Sequence, residues 1–210
     1  MSFLKNKTRR ILTPFNWNIC FVAVLVIGIS CREQQPVTGA YYNIDSLLDK
    51  QIGLLLKRKA ALEKTAIVGT DDSRITFVPA DSLAWAEELD IFRNLNSINK
   101  PVNRGLYLDS VYKDRNSNLT IRSFTATSPE LQIEQLEIFY LNNPEDIRRI
   151  EAVFHEENVM FETKRLLRME FRKKGQDSFV SAYNVNGGQK MLLGDTVQYS
   201  VTAKISLPQN

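Results

Sequence analysis

Two hydrophobic periods divide the chain. From Gly105 onward apolar and polar residues alternate with period two, the signature of strands with one wet face. The clearest run is the last. Val197, Tyr199, Val201, Ala203, Ile205 and Leu207 alternate there with Thr196, Gln198, Ser200, Thr202, Lys204 and Ser206. Strands are predicted over 106–112, 118–125, 131–141, 147–154, 158–172, 178–185 and 196–207, with a short extra one over 189–193. Turn residues separate them, the last such signal being Asn186-Gly187-Gly188. Each gap is short enough for a hairpin, so sequence neighbours should pair antiparallel. In 131–141 the phase switches: Leu131 and Ile133 share one face, Leu136, Ile138 and Tyr140 the other. A bulge near Glu134 or Gln135 repairs this.

Before Gly105 the period is helical. Ile44, Leu48, Ile52, Leu55 and Leu62 recur at helical spacing, with Lys57, Arg58, Lys59, Glu63 and Lys64 on the wet side. This predicts an amphipathic helix over 44–65, capped by Asn43 or Asp45 and packed on its own sheet. A second helix, 81–96, follows a polar turn at 70–73 and a short strand at 75–78. It puts Trp85, Leu89, Phe92 and Leu95 on one face. Pro101 bars its continuation. The expected fold is therefore α+β: two N-terminal helices packed on a curved antiparallel meander sheet of about seven strands.

Upstream of the helices lies an uninterrupted apolar run, Ile19 to Ile29, followed by Ser30 and Cys31. Lys5, Lys7, Arg9 and Arg10 precede it and no acid does. A bilayer-spanning helix needs about 20 predominantly apolar residues. This run has eleven, bounded by Asn18 and by Arg32-Glu33. It reads as a secretory signal with an abrupt polar stop. The arrangement resembles the signal peptide of bacterial lipoproteins. In that family the thiol receives a diacylglyceryl group and becomes the mature N-terminus. The resemblance covers residues 1–31 and implies cleavage between Ser30 and Cys31, with Cys31 as the lipid carrier. Gly28 stands where the family usually has leucine. By this reading, residues 1–30 are a signal peptide, 31–43 a lipidated tether and 44–210 a single domain. Two or more acyl chains, of the palmitate kind, give stable anchoring where one gives only marginal binding. One acid, Glu33, follows the cysteine. The absence of an acidic run favours the periplasmic face of the outer membrane of a Gram-negative envelope.

Removing the signal changes the charge. The chain has 27 basic and 24 acidic residues. Four of the basic ones lie before residue 31, which leaves 23 against 24 and a net charge of −1. The basic balance therefore belongs to the signal, and nothing points to nucleic acid. Of two cysteines, Cys20 and Cys31, the mature part keeps only Cys31, so no intramolecular disulfide forms there. His155 is the only histidine. No spacing suggests a metal site or a cofactor loop, and none indicates a catalytic constellation.

The chemistry on offer is sparse. Phe154-His155-Glu156-Glu157-Asn158 reads as a hairpin turn with a solvated histidine; the alternative is an envelope hydrolase with His155 as general base. Arg165 is the sharper anomaly. With Thr163 it falls between Phe161 and Leu167 on the apolar face of its strand. A buried unpaired charge is very costly. Arg165 must reach solvent, find a carboxylate, or hold an anionic ligand. Lys164, Arg168, Arg172, Lys173 and Lys174 read as a solvated wet face. Four tripeptides, beginning at Asp45, Asp81, Asp109 and Asp195, resemble acceptors for O-glycosylation in one Gram-negative lineage. The expected function is a non-enzymatic binding or assembly module with no cofactor, held to the membrane through Cys31, with a protein partner or a hydrophobic ligand. The helix-on-sheet outline is similar to the half-open barrels of periplasmic lipoprotein carriers. That similarity implies the alternative of a carrier with an apolar cavity.

Overall fold

The computed structural model describes residues 41–192 and 194–208. Ser30, Cys31 and the tether as far as residue 40 lie outside them. The order is α1 (Ile44–Lys57), β1 (Ala61–Val68), β2 (Asp71–Phe77), α2 (Ser82–Arg93), two 3₁₀ turns (Asn94–Asn99 and Pro101–Asn103), then β3 (Tyr107–Lys113), β4 (Thr120–Ala126), β5 (Ile133–Tyr140), β6 (Ile147–Glu157), β7 (Phe161–Lys174), β8 (Asp177–Met191) and β9 (Thr196–Ser206). All nine strands form one antiparallel sheet in the order β2-β1-β9-β8-β7-β6-β5-β4-β3. The α+β class holds. The sheet has nine strands rather than seven, and the helices are not an N-terminal pair, because a hairpin separates them.

That hairpin corrects the long first helix. α1 stops at Lys57, where Arg58, Lys59 and Ala60 donate back to Leu54, Leu56 and Leu55, and Lys59 takes a positive φ of 51°. Ala61–Val68 then turns into a strand that pairs along its length with β9. The helical spacing of Leu62 yields to tertiary demand: β9 would otherwise be an open edge, and Thr65, Ile67 and Val68 are β-branched. The turn is Gly69-Thr70, with Gly69 at φ 60°, a two-residue hairpin that needs glycine first.

Other boundaries follow local chemistry. Asn43 caps α1 by accepting from the Ser46 N–H at 2.9 Å, and Asp81 caps α2 through Ala84 at 2.9 Å. The second helix is shorter than expected and tightens into the 3₁₀ turn at Asn94. The pairing of β5 with β6 skips Glu134, so the bulge sits where the phase switch put it. Asn186-Gly187-Gly188 is no turn. It lies inside β8, which continues to Met191 and absorbs the short extra strand. Val159, expected on an apolar strand face, sits in the β6–β7 turn, 87% exposed.

The helices cover one face. A buried row runs across the register from Phe124 through Leu136, Ala152, Leu167 and Val185 to half-buried Val201. Leu48, Leu55, Trp85, Leu89 and Phe92 close over that face, none above 2% exposed. Gln51 ties α1 to the sheet: its carbonyl accepts from Val180 N–H at 2.9 Å and its amide donates to Ser178 O at 3.1 Å. Glu88 of α2 accepts from Lys64 at 2.8 Å and from the Tyr183 hydroxyl. Among the described residues no helix is long and apolar enough to cross a membrane.

Candidate functional site

One step along the strands from that buried row runs a second one: Ile133, Phe154, Arg165, Gly187, Tyr199 and Val68, in register on β5, β6, β7, β8, β9 and β1. It passes from fully buried Ile133 to Val68 at 52% exposed. Arg165 therefore stands where the helices' cover gives out. Its side chain keeps 22% of its surface exposed. The guanidinium carbon lies 5.5 Å from the centre of the Phe154 ring, within cation–π range. Nε donates to the Tyr199 hydroxyl at 3.0 Å, and Nη2 lies 3.9 Å from Glu156 Oε2. The charge on the apolar face is thus met by partial solvent, a hydroxyl and a carboxylate, which answers its desolvation cost.

Gly187 makes that arrangement possible. Tyr199 lies over it: a Cβ there would sit 2.6 Å from the Tyr199 hydroxyl oxygen and 2.8 Å from Lys164 O. Gly188 similarly leaves room for the Gln198 side chain, whose Nε2 would come within 2.7 Å of a Cβ. Neither contact is local in sequence, so the pair reads as a turn until the register is known. Tyr199 was legible only as one more apolar position of the last strand.

Next to this row a cleft of about 410 Å³ opens between the first 3₁₀ turn and the ends of β5 and β6. Asp45, Arg93, Lys100, Gln132 and Glu156 line it. Much of its charge is already matched. Arg93 reaches Asp49 at 2.6 Å and Asp45 at 3.5 Å, and the Asp49 hydrogen bond holds its pKa above the ordinary value. Asn96 donates to Asp45 at 2.5 Å. Such a wall suits polar groups and excludes an acyl chain. A second cleft, about 580 Å³, lies between α1 and the β5–β6 turn, where Leu47, Leu54, Ile147 and Phe171 line it beside Lys50, Asp146, Lys173 and Asp177.

His155 belongs to β6 rather than to a turn, and it points away from Arg165 to the other face, opposite Lys164. Its Nε2 lies 3.5 Å from Glu162. Lys164 pairs with Glu134 at 2.7 Å and Arg168 with Glu151 at 2.8 Å, so this face is an ion-pair lattice. Lys173 and Lys174 sit at the far end of β7, and Lys174 donates to Pro208 O at 2.9 Å. Among the described residues no three His, Cys, Asp or Glu side chains group closely enough to hold a metal ion. Of the four glycosylation-like tripeptides, those at Asp45 and Asp81 sit at helix starts, Asp109 lies in β3 facing Arg122 at 2.6 Å, and Asp195 precedes β9. Comparison of the chain with protein-family models, with curated proteins and with solved structures found no match in any of the three.

Proposed function

We propose that the chain is a lipid-anchored envelope protein whose folded domain serves as a binding or assembly module. On this reading Cys31 carries the acyl chains, and the domain hangs on the periplasm-facing side of the outer membrane. The observation that carries the address is the stretch Ile19–Cys31: a basic start, eleven apolar or small residues, Ser30 and then a cysteine. Support for a module rather than a hydrophobic carrier comes from the interior. Trp85, Leu89, Phe92, Tyr107 and Phe124 fill the space between helices and sheet at 2% exposure or less. The cleft beside the Arg165 row is lined mainly by charged and amide side chains, whereas sites for apolar ligands are concave and predominantly apolar.

The test is Cys31→Ala in the full chain. The expected result is release of the protein from the membrane fraction, or accumulation of an unlipidated precursor, while the wild type takes up an acyl label. Unchanged fractionation together with an unlabelled wild type overturns the anchor. The purified wild type should carry no stoichiometric lipid beyond that anchor; a second bound lipid by mass spectrometry favours the carrier.

A further inference from the structure

Among the described residues the sheet has free edges at β2 and β3. β2 is the more open: all seven of its residues are exposed. Exposed edges are templates for another strand, and proteins usually blunt them with proline, a bulge or charged side chains. β2 has no proline, bulge or lysine, and its charges, Asp71, Asp72 and Arg74, are of both signs. Its sequence is Asp71-Asp72-Ser73-Arg74-Ile75-Thr76-Phe77, and it pairs with β1 over seven consecutive residues without a register shift.

The charges on this edge are ordered. In β2 the odd positions share the helix-covered face of the sheet, as the pairing of Phe77 with buried Leu62 shows, and Asp72, Arg74 and Thr76 lie on the other face. A second copy that continues the sheet antiparallel, with its helices on the same side, must match odd with odd and even with even. The two-fold axis then passes through a residue. Centring it on Asp72 sets that carboxylate against itself. Centring it on Arg74 sets two guanidiniums against each other. Both are unfavourable. Centring it on Ser73 sets Asp72 opposite Arg74 of the other copy, twice, and places the two small Ser73 side chains on the axis. Shifting to Ile75 leaves both charged residues without opposite partners. Arg74 is 71% exposed; its Nε donates to Thr65 Oγ1 at 3.3 Å and its carboxylate neighbour Glu63 is 3.9 Å away, which leaves its Nη groups without a close carboxylate.

We propose that β2 pairs antiparallel with β2 of a second copy about a two-fold axis at Ser73, extending the sheet across two chains over Asp71–Ile75. This interface is isologous, as closed dimers require. It uses neither the Arg165 row nor the anchor, so it stands apart from the functional reading above.

Position-specific cross-linking in the full chain tests it. Residues on the axis of an antiparallel pair have Cα atoms ~4.5–5.5 Å apart, inside the ~4.4–6.8 Å a disulfide spans. Ser73→Cys should therefore give a disulfide-linked species of twice the mass under mild oxidation. Ile75→Cys is equally exposed but lies two residues off the axis. Its sulfur would need to span about 13 Å to its own mate, from four strand residues at ~3.3 Å each. It should give no more than the wild type, which sets the background. Adding Arg74→Asp to Ser73→Cys should reduce the linked band to that background, and the further change Asp72→Arg should restore it. Three results overturn the proposal: no linked band from Ser73→Cys, a band of equal strength from Ile75→Cys, or a band that survives Arg74→Asp. A strand of some other protein on this edge would give the first of these.

Discussion

Gly187→Ala isolates the arrangement around Arg165. The added Cβ would meet the Tyr199 hydroxyl oxygen at 2.6 Å, its ring carbon Cζ at 2.7 Å and Lys164 O at 2.8 Å. Ordinary contact begins near 3.4 Å, so these atoms must retreat by 0.6–0.8 Å. Tyr199 is able to swing out, but that breaks its hydrogen bond from Arg165 Nε. Lys164 O is backbone, in the rung of the β7–β8 ladder beside the Arg165–Gly187 pair, and cannot move without disturbing it. Overpacking of this kind costs about 1–3 kcal/mol. A hydrogen bond from a charged donor contributes about 1.5–3 kcal/mol when buried, and here about 1, because the guanidinium is partly wet. The expected loss is ~2–4 kcal/mol, read by equilibrium urea unfolding of the full chain in detergent. Tyr199→Ala dissects the sum. In that background the tyrosine part of the glycine effect is gone and the Lys164 part remains, so the double mutant should show a coupling of about 1 kcal/mol or more. Gly187→Ala within ~0.5 kcal/mol of wild type, the range of an ordinary surface change, would refute the close approach and with it the account of how Arg165 is satisfied.

Further expectations concern the helix–sheet seam and alkaline pH. Gln51→Ala leaves the Val180 N–H and the Ser178 carbonyl without their partner beneath α1; at about 1–3 kcal/mol for the buried N–H and about 1 for the half-buried carbonyl, unfolding should shift by ~2–4 kcal/mol, and Gln51→Glu, which cannot donate to Ser178 O when ionised, should not restore it. Burial pushes the phenols of Tyr42 and Tyr107 up to about 12 from an ordinary 10. A folded-state pKa above the unfolded one means the unfolded chain loses its protons first as pH rises, so stability is complete below pH 10 and falls between pH 10 and 12. Ultraviolet titration should show these two phenolates late, with Tyr112, raised by burial and its hydrogen bond to Glu137, also delayed; ionisation of Tyr42 and Tyr107 alongside the remaining tyrosines would contradict the burial. The membrane release expected of Cys31→Ala and the cross-link expected of Ser73→Cys probe separate parts of the chain, so either result stands without the other.

Much of the domain was legible because its determinants are local. The caps at Asn43 and Asp81 act within three residues. The meander from β3 to β9 follows from period-two alternation broken by turn residues. The Glu134 bulge is visible as a phase switch within a single strand. Arg165 stood out because a charge interrupted an otherwise apolar face, a signal carried by its own neighbours. Its partner did not. Tyr199 is 34 residues away and belongs to a strand whose register with β7 is set only through β8.

The elements misread share one cause. Ala61–Val68 carries a leucine at helical spacing, and its local period continues the helix. What makes it a strand is the edge of β9, well over a hundred residues later, which a chain reading cannot supply. Gly187 and Gly188 carry turn chemistry in any local view; they are instead flat places in a strand, required by the side chains of Tyr199 and Gln198 that cross them. By itself the sequence determined the strand alternation, the caps, the charge balance of residues 31–210 and the stretch ending at Cys31, all of which depend on neighbours along the chain. The tertiary structure alone decided the hairpin that lengthens the sheet to nine strands, the filling of the space beneath the helices and the company Arg165 keeps, because each depends on pairing between strands distant in sequence.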